Sequence, residues 1–210
     1  MVQDIIGKLG IFYPLARCAL EYRRDYELLF ATRLSAQCTD ARVNLVTPVL
    51  FGEFPLLEDL SSADTGRLEA IVRPCGFFRH KAADIKAAAR MLLDDFGGRV
   101  PDTMEDLLRL PGVGRKTANL ILGELYGKPA ICADTHCIRL SNRLGLCETR
   151  DPYKVELKLK EVIPAEEQLM FCHRLIAHGR SVCKAQRPLC GQCGLTEYCL
   201  YFEKGAKKCP

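Results

Sequence analysis

The chain has 210 residues, 30 Lys or Arg against 26 Asp or Glu, a formal net charge of +4, 48% hydrophobic residues and twelve cysteines. This composition excludes a disordered or low-complexity chain, and no apolar stretch approaches the length of a membrane span. The charge is only mildly basic, so it favours an anionic partner only where cations cluster. Twelve cysteines in a chain this long, behind an N-terminus MVQDIIGKLG with no charged segment leading into an apolar run, predict a reducing, cytoplasmic setting without a targeting segment.

In chain order, Thr39 and Asp40 can cap a helix running toward Phe51, and residues 63–73 read as another. Ile85, Ala89, Leu92 and Phe96 mark one face of a helix that stops at Gly97–Gly98. Met104 to Leu110 reads as a short helix approached through Pro101 and Asp102. Pro164 falls in the first turn of a helix that reaches Ala177, with Leu169, Cys172 and Ile176 on one face. No alternating run with hairpin-turn chemistry occurs, and there are no internal repeats, so the expected class is all-α.

Residues 110–118, LPGVGRKTA, are the most informative stretch. Gly112 and Gly114 permit positive φ and a close backbone approach to a ligand, and the helix that follows begins with free N–H groups and a positive dipole end suited to phosphate. Ala118, Ile121, Leu122 and Leu125 anchor that helix on a core. The unit is helix–hairpin–helix, spanning about residues 102–126, with Arg115 and Lys116 at its tip. Lys116 lies beside another cation and near the positive end of a helix, both of which disfavour the ammonium and make it a candidate amine nucleophile. The same residues also read as an ordinary turn between helices with a solvated first turn.

Cys183, Cys190, Cys193 and Cys199 follow C-x6-C-x2-C-x5-C. Four thiolates in one short loop fit an iron–sulfur cluster or a structural zinc. Lys184 and Arg187 lie between the first two, so a metal-closed loop would display them as a phosphate contact; a solvated basic tail is the other reading. The remaining cysteines (Cys18, Cys38, Cys75, Cys132, Cys137, Cys147, Cys172 and Cys209) are expected to be mostly small buried hydrophobes, with Cys132 and Cys137, which bracket Asp134, as a possible second metal pair.

LPGVGRKTA, then ADTH at 133–136, then HGR at 178–180 leading into the four-cysteine loop, together with SAQCTD at 35–40, resemble the endonuclease III family of DNA-repair glycosylases, in the family's order from about Leu28 to Cys199. The resemblance implies a helix-hairpin-helix glycosylase fold of two helical domains flanking a DNA-binding cleft: a six-helix domain over 18–128, and a cluster domain made of 1–17 plus 129–210. It implies a [4Fe-4S] cluster on the four cysteines and a monomer acting on double-stranded DNA with damaged pyrimidines or abasic sites, nucleoid-associated, without a membrane. Lys116 would attack the deoxyribose C1′ of a nucleotide flipped from the stack, Asp134 would stabilise the oxocarbenium-like charge, and β-elimination from the imine would cut the strand on the 3′ side.

By the same resemblance, Gln37 would fill the gap left by the flipped base, Phe77 in GFFRHKA would be the apolar wedge, and His136 would face the DNA along with Gly112, Gly114, Arg115, Lys184 and Arg187. Each has a structural alternative: Asp134 as a helix cap, Gln37 as a buried hydrogen-bonded residue on a helix, Phe77 as a core aromatic. Cys38 replaces a typical alanine, Arg79 and His80 are unusual beside the wedge, and Arg33 interrupts an apolar run. Two other functions stay open at this stage: a mismatch or adenine glycosylase of the same fold, disfavoured by Lys116 and by the eleven residues that follow Cys199, and a non-catalytic DNA-binding module bearing the cluster.

Overall fold

A computed structural model describes residues 1–205, so Cys209 lies outside the described residues. Among these, regular structure is entirely helical: α1 (Val2–Phe12), α2 (Asp25–Leu34), α3 (Asp40–Glu53), α4 (Leu57–Ser62), α5 (Thr65–Val72), α6 (Phe78–Phe96), α7 (Met104–Arg109), α8 (Arg115–Tyr126), α9 (Thr135–Arg143), α10 (Pro152–Val162), α11 (Gln168–Ser181) and α12 (Leu200–Glu203), with short 3₁₀ turns between some of them. The chain divides into two compact units, Cys18–Gly127 and Met1–Arg17 together with the chain from Lys128 onward.

In the Cys18–Gly127 unit, α2 is central and packs on α3, α6 and α8. Leu28, Leu29, Phe30, Ala31 and Leu34 are all buried, and burial of each large apolar side chain contributes about 1.5–3 kcal/mol. Glu27 is buried at the third position of α2 because its carboxylate accepts from the Arg23 and Arg24 amides, at 2.7 and 3.4 Å, which closes the helix start. α3 starts where Thr39 Oγ1 accepts the Arg42 amide, and α5 starts where Asp64 accepts the Arg67 amide at 2.8 Å. α6 buries Ile85, Ala89 and Leu92 and ends at Gly97, whose φ of +58° only glycine adopts without cost. α7 is capped by Thr103 rather than approached directly from Asp102, with the Thr103 hydroxyl accepting the Asp106 amide.

In the other unit, α1 packs on α11 through a face carrying the buried Ile5, Ile6 and Leu9, and α11 packs on α9. Gly179 makes the α9–α11 approach possible, since a Cβ there would lie 2.6 Å from the His136 ring and 2.9 Å from the Arg139 guanidinium. Pro164 does not begin this helix. Its ψ of 141° is extended, a 3₁₀ turn over Ala165–Glu167 follows, and α11 runs from Gln168 past Ala177 to Ser181. The buried face is consequently Phe171, Cys172, Leu175 and His178, while Leu169 and Ile176 are half-buried.

Candidate functional site

The hairpin between α7 and α8 is a tight turn in which the Val113 amide donates to the Leu110 carbonyl at 3.1 Å. Only one of its glycines uses positive φ. Gly112 sits at +75°, and a Cβ there would lie 2.5 Å from Arg33 Nε and 2.7 Å from Asp84 Oδ2. Gly114 is extended (φ −100°, ψ 173°) with nothing within 4 Å of a Cβ, and it caps α8 without a side chain. The α8 N-terminus therefore has no side-chain acceptor at its cap, which leaves an anion-binding arrangement. Lys116 is exposed on that first turn, while Ala118, Ile121 and Leu122 are buried behind it.

Arg33, for which the sequence offers no role, lies beneath the hairpin. Its guanidinium donates to Asp84 Oδ2 from both Nε (2.7 Å) and the terminal nitrogen (2.6 Å). One turn after Lys116, the amide of Asn119 is buried with neither polar atom hydrogen-bonded.

Residues 35–39 of the SAQCTD segment form the non-helical link between α2 and α3, and its Asp40 begins α3. Gln37 in it is exposed with φ +54°, so the reading of a buried glutamine on a helix fails. Phe77 precedes α6 with φ +47° and is 62% exposed, so it is not a core aromatic. Left-handed backbone at two bulky residues costs about 1–3 kcal/mol each and persists where surrounding structure over-determines it, a pattern concentrated at ligand clamps and active sites. Gln37 and Phe77 line one recess of about 230 Å³ with Arg33, Ala36, His80 and Lys81. Lys81 escaped the sequence reading because a lysine in RHKA reads as a surface charge; it is 1% exposed.

Asp134 does cap α9: its Oδ1 accepts the Cys137 amide at 2.7 Å. Its Oδ2 faces His136 Nδ1 at 3.3 Å, and its side chain remains 15% exposed. The cap consumes one oxygen and leaves the other directed at a histidine.

The four-cysteine loop is bracketed by two arginines of α9. Arg139 donates to the Cys183 carbonyl at 3.0 Å, and Arg143 donates to Cys183 Sγ (3.1 Å) and to the Lys184 and Ala185 carbonyls (2.8 and 3.1 Å). His178, held by the Tyr13 hydroxyl at 2.9 Å, lies 3.5 Å from Cys193 Sγ, and Cys199 Sγ donates to the Arg143 carbonyl at 3.4 Å. All four cysteines are half-buried and unbridged. Among the described residues no three His, Cys, Asp or Glu converge as a single ion requires. Four half-buried thiols in one loop, with the Arg143 guanidinium donating to Cys183 Sγ, suit the anionic charge of a thiolate-held iron–sulfur cluster, so the donor set fits that group. Lys184 and Arg187 are exposed on this loop, Arg187 with φ +49°.

Cys132 and Cys137 belong to no group of three or more His, Cys, Asp or Glu that could hold a metal ion among the described residues. They are buried with Cys172, which accepts the Cys132 amide at 3.3 Å. Cys75 and Cys147 are buried as expected, whereas Cys18 and Cys38 are half-buried.

Residues 30–165 match the family model for the HhH-GPD superfamily base excision DNA repair protein, and residues 183–199 match that for the iron-sulfur binding domain of endonuclease III. The chain is 47% identical over 197 residues to endonuclease III of Synechocystis sp., covering 93% of this chain and 90% of the relative. It resembles the structure of a non-covalent endonuclease III–DNA complex with a TM-score of 0.93 at 42% identity, covering 99% of each chain. It also resembles a trapped endonuclease III–DNA covalent intermediate, described as an estranged-adenine complex, with a TM-score of 0.91 at 42% identity, covering 97% of this chain and 98% of that one.

Proposed function

This chain belongs to the endonuclease III family of base excision DNA repair proteins, and from that membership we propose how its residues divide the work. It is a DNA glycosylase with AP lyase activity, and it carries a [4Fe-4S] cluster. Its substrates are oxidised pyrimidines and abasic sites in duplex DNA, on which it acts as a monomer at the nucleoid. Among the described residues no helix is long and apolar enough to cross a membrane.

Lys116 is the nucleophile. Its neutral amine attacks C1′ of the extruded nucleotide, the glycosidic electron pair leaves with the base, and a proton reaches the departing base. The amine nitrogen then loses a proton, the C1′–O4′ bond breaks as the C1′=N bond forms, and O4′ takes up a proton; the resulting protonated imine acidifies the C2′ proton, whose removal forms the C2′=C3′ bond and expels the 3′ phosphate. Asp134 stabilises the positive charge on the sugar through its uncapped oxygen and relays protons, and His136 orients that oxygen. Gln37 fills the vacated stack position and Phe77 wedges the adjacent step. Gly112, Gly114 and Arg115 receive one phosphate and Lys184 and Arg187 another. Cys183, Cys190, Cys193 and Cys199 would hold the cluster, which closes the loop bearing those two cations.

One observation carries this reading above the others: an exposed lysine on the first turn of a helix whose cap is a bare glycine, behind a tight turn with Gly112 at positive φ. The test is borohydride trapping on a duplex with one abasic site. Wild type is expected to form a covalent adduct and Lys116→Ala to form none while still binding the DNA; an adduct with Lys116→Ala would reassign the nucleophile.

A further inference from the structure

Lys81 is a cation in an uncommon place. It is 1% exposed, and its Nζ donates to three backbone carbonyls, of Leu34, Ala36 and Cys75, each at 2.8 Å. An ammonium has three N–H donors, so the group is fully satisfied by carbonyl oxygens. Burial pulls its pKa below the usual lysine range, and the Arg33 guanidinium opposes the charge further. A buried lysine serving packing alone would be replaceable by an apolar chain of similar length. The acceptors indicate another purpose.

Leu34 ends α2 and Ala36 immediately precedes Gln37, while Cys75 precedes Phe77 by two residues. One ammonium thus ties together the stems of the two segments whose tips, Gln37 and Phe77, are exposed and left-handed. The recess between the tips has Lys81 in its lining.

We infer that Lys81 is a positioning residue that fixes the spacing of Gln37 and Phe77, so that gap filling and wedging occur together when a nucleotide is extruded. This inference rests on the roles proposed above for those two residues. Holding both tips from a single buried point presets a distance that neither short segment could maintain alone, and a displacement of about 1 Å in such a constellation can cost about 100-fold in rate.

The experiment uses the full-length, cluster-loaded protein with Lys81→Gln, which keeps a donor, and Lys81→Met, which keeps none. The 410-nm region of the cluster spectrum and thermal melting establish folding. Three quantities are measured: single-turnover excision of an oxidised thymine from duplex DNA, fluorescence of a 2-aminopurine next to the lesion, and imine trapping on a preformed abasic site. Expected for Lys81→Gln is an excision rate lower by about 10- to 100-fold with a smaller 2-aminopurine change, and abasic-site trapping within about 3-fold of wild type. Amide exchange should rise across Ser35–Thr39 and Gly76–Phe78 but not along α8. In a Gln37→Ala/Phe77→Ala background, Lys81→Gln should add less than about 3-fold. Equal losses of excision and trapping, or a full multiplicative loss in that background, would overturn the inference and leave Lys81 a structural residue. If Gln37→Ala/Phe77→Ala itself excises at the wild-type rate, the roles of the two tips fail first, and the inference falls with them.

Discussion

Gly112→Ala should loosen the hairpin through two separable effects. The first is backbone: at φ +75° a residue with a Cβ costs about 1–2 kcal/mol. The second is steric: the new Cβ would sit 2.5 Å from Arg33 Nε and 2.7 Å from both Arg33 Cδ and Asp84 Oδ2, so the ion pair beneath the hairpin must move. Arg33 and Asp84 side chains are only 21% and 27% exposed, so they have little room to yield, and overpacking of this kind costs about 1–3 kcal/mol. The sum is about 2–5 kcal/mol, which at a urea slope of about 2 kcal/mol/M lowers the unfolding midpoint by about 1–2.5 M. Urea titration followed by circular dichroism reads this directly. In an Arg33→Ala/Asp84→Ala background only the backbone part should remain, about 1–2 kcal/mol. Gly114→Ala, at an extended position with open space, should lie within about 0.5 kcal/mol of wild type, so any loss of DNA affinity there reports the approach of a ligand. A Gly112→Ala protein as stable as wild type would refute the account of the hairpin.

Other outcomes can be checked independently. Asp134→Asn keeps an oxygen for the Cys137 amide, so stability should fall by no more than about 1 kcal/mol while base excision drops by at least about 100-fold; equal activity in the two proteins would confine Asp134 to capping. Lys184→Ala and Arg187→Ala should each reduce the salt slope of DNA binding by about 1, measured by anisotropy titration at several salt concentrations. Cys183→Ser should lose the cluster's visible absorbance and bound iron, and an iron-replete Cys183→Ser protein would exclude that ligand. Desolvation pushes the half-buried Cys18 and the buried Cys75 thiols up to about 11, so both stay protonated near pH 8 and should alkylate far more slowly than an unperturbed thiol; rapid labelling by iodoacetamide, read by mass spectrometry, would contradict that shift.

The parts legible from sequence are those whose cause is local. LPGVGRKTA shows its turn and helix start within nine residues, and α6 shows a clean apolar face ending at a glycine pair. The four cysteines show their spacing directly. α2 was hidden because DYELLFATRL is buried at Glu27 to Thr32 and again at Leu34, leaving almost no polar face to betray a period. Pro164 misled because a proline suits a helix start and an extended turn equally well, and only its ψ distinguishes them. Arg33 and Lys81 could not be interpreted from sequence, since their partners lie 51 residues away in one case and up to 47 in the other. Asp134 was readable as cap or catalyst, and the structure has its Oδ1 on the Cys137 amide and its Oδ2 facing His136.

The packing of α1 on α11 has a consequence for synthesis of the chain. Ile5, Ile6 and Leu9 are synthesised before the Cys18–Gly127 unit, yet the helix on which they pack begins only at Gln168. At about 5–20 residues per second, that apolar stripe waits roughly 10–30 s for its partner while the Cys18–Gly127 unit is completed in between. The nascent protein therefore carries an unpaired apolar stripe ahead of an already foldable middle, and polar substitutions on that stripe should lower the yield of folded enzyme without touching its chemistry.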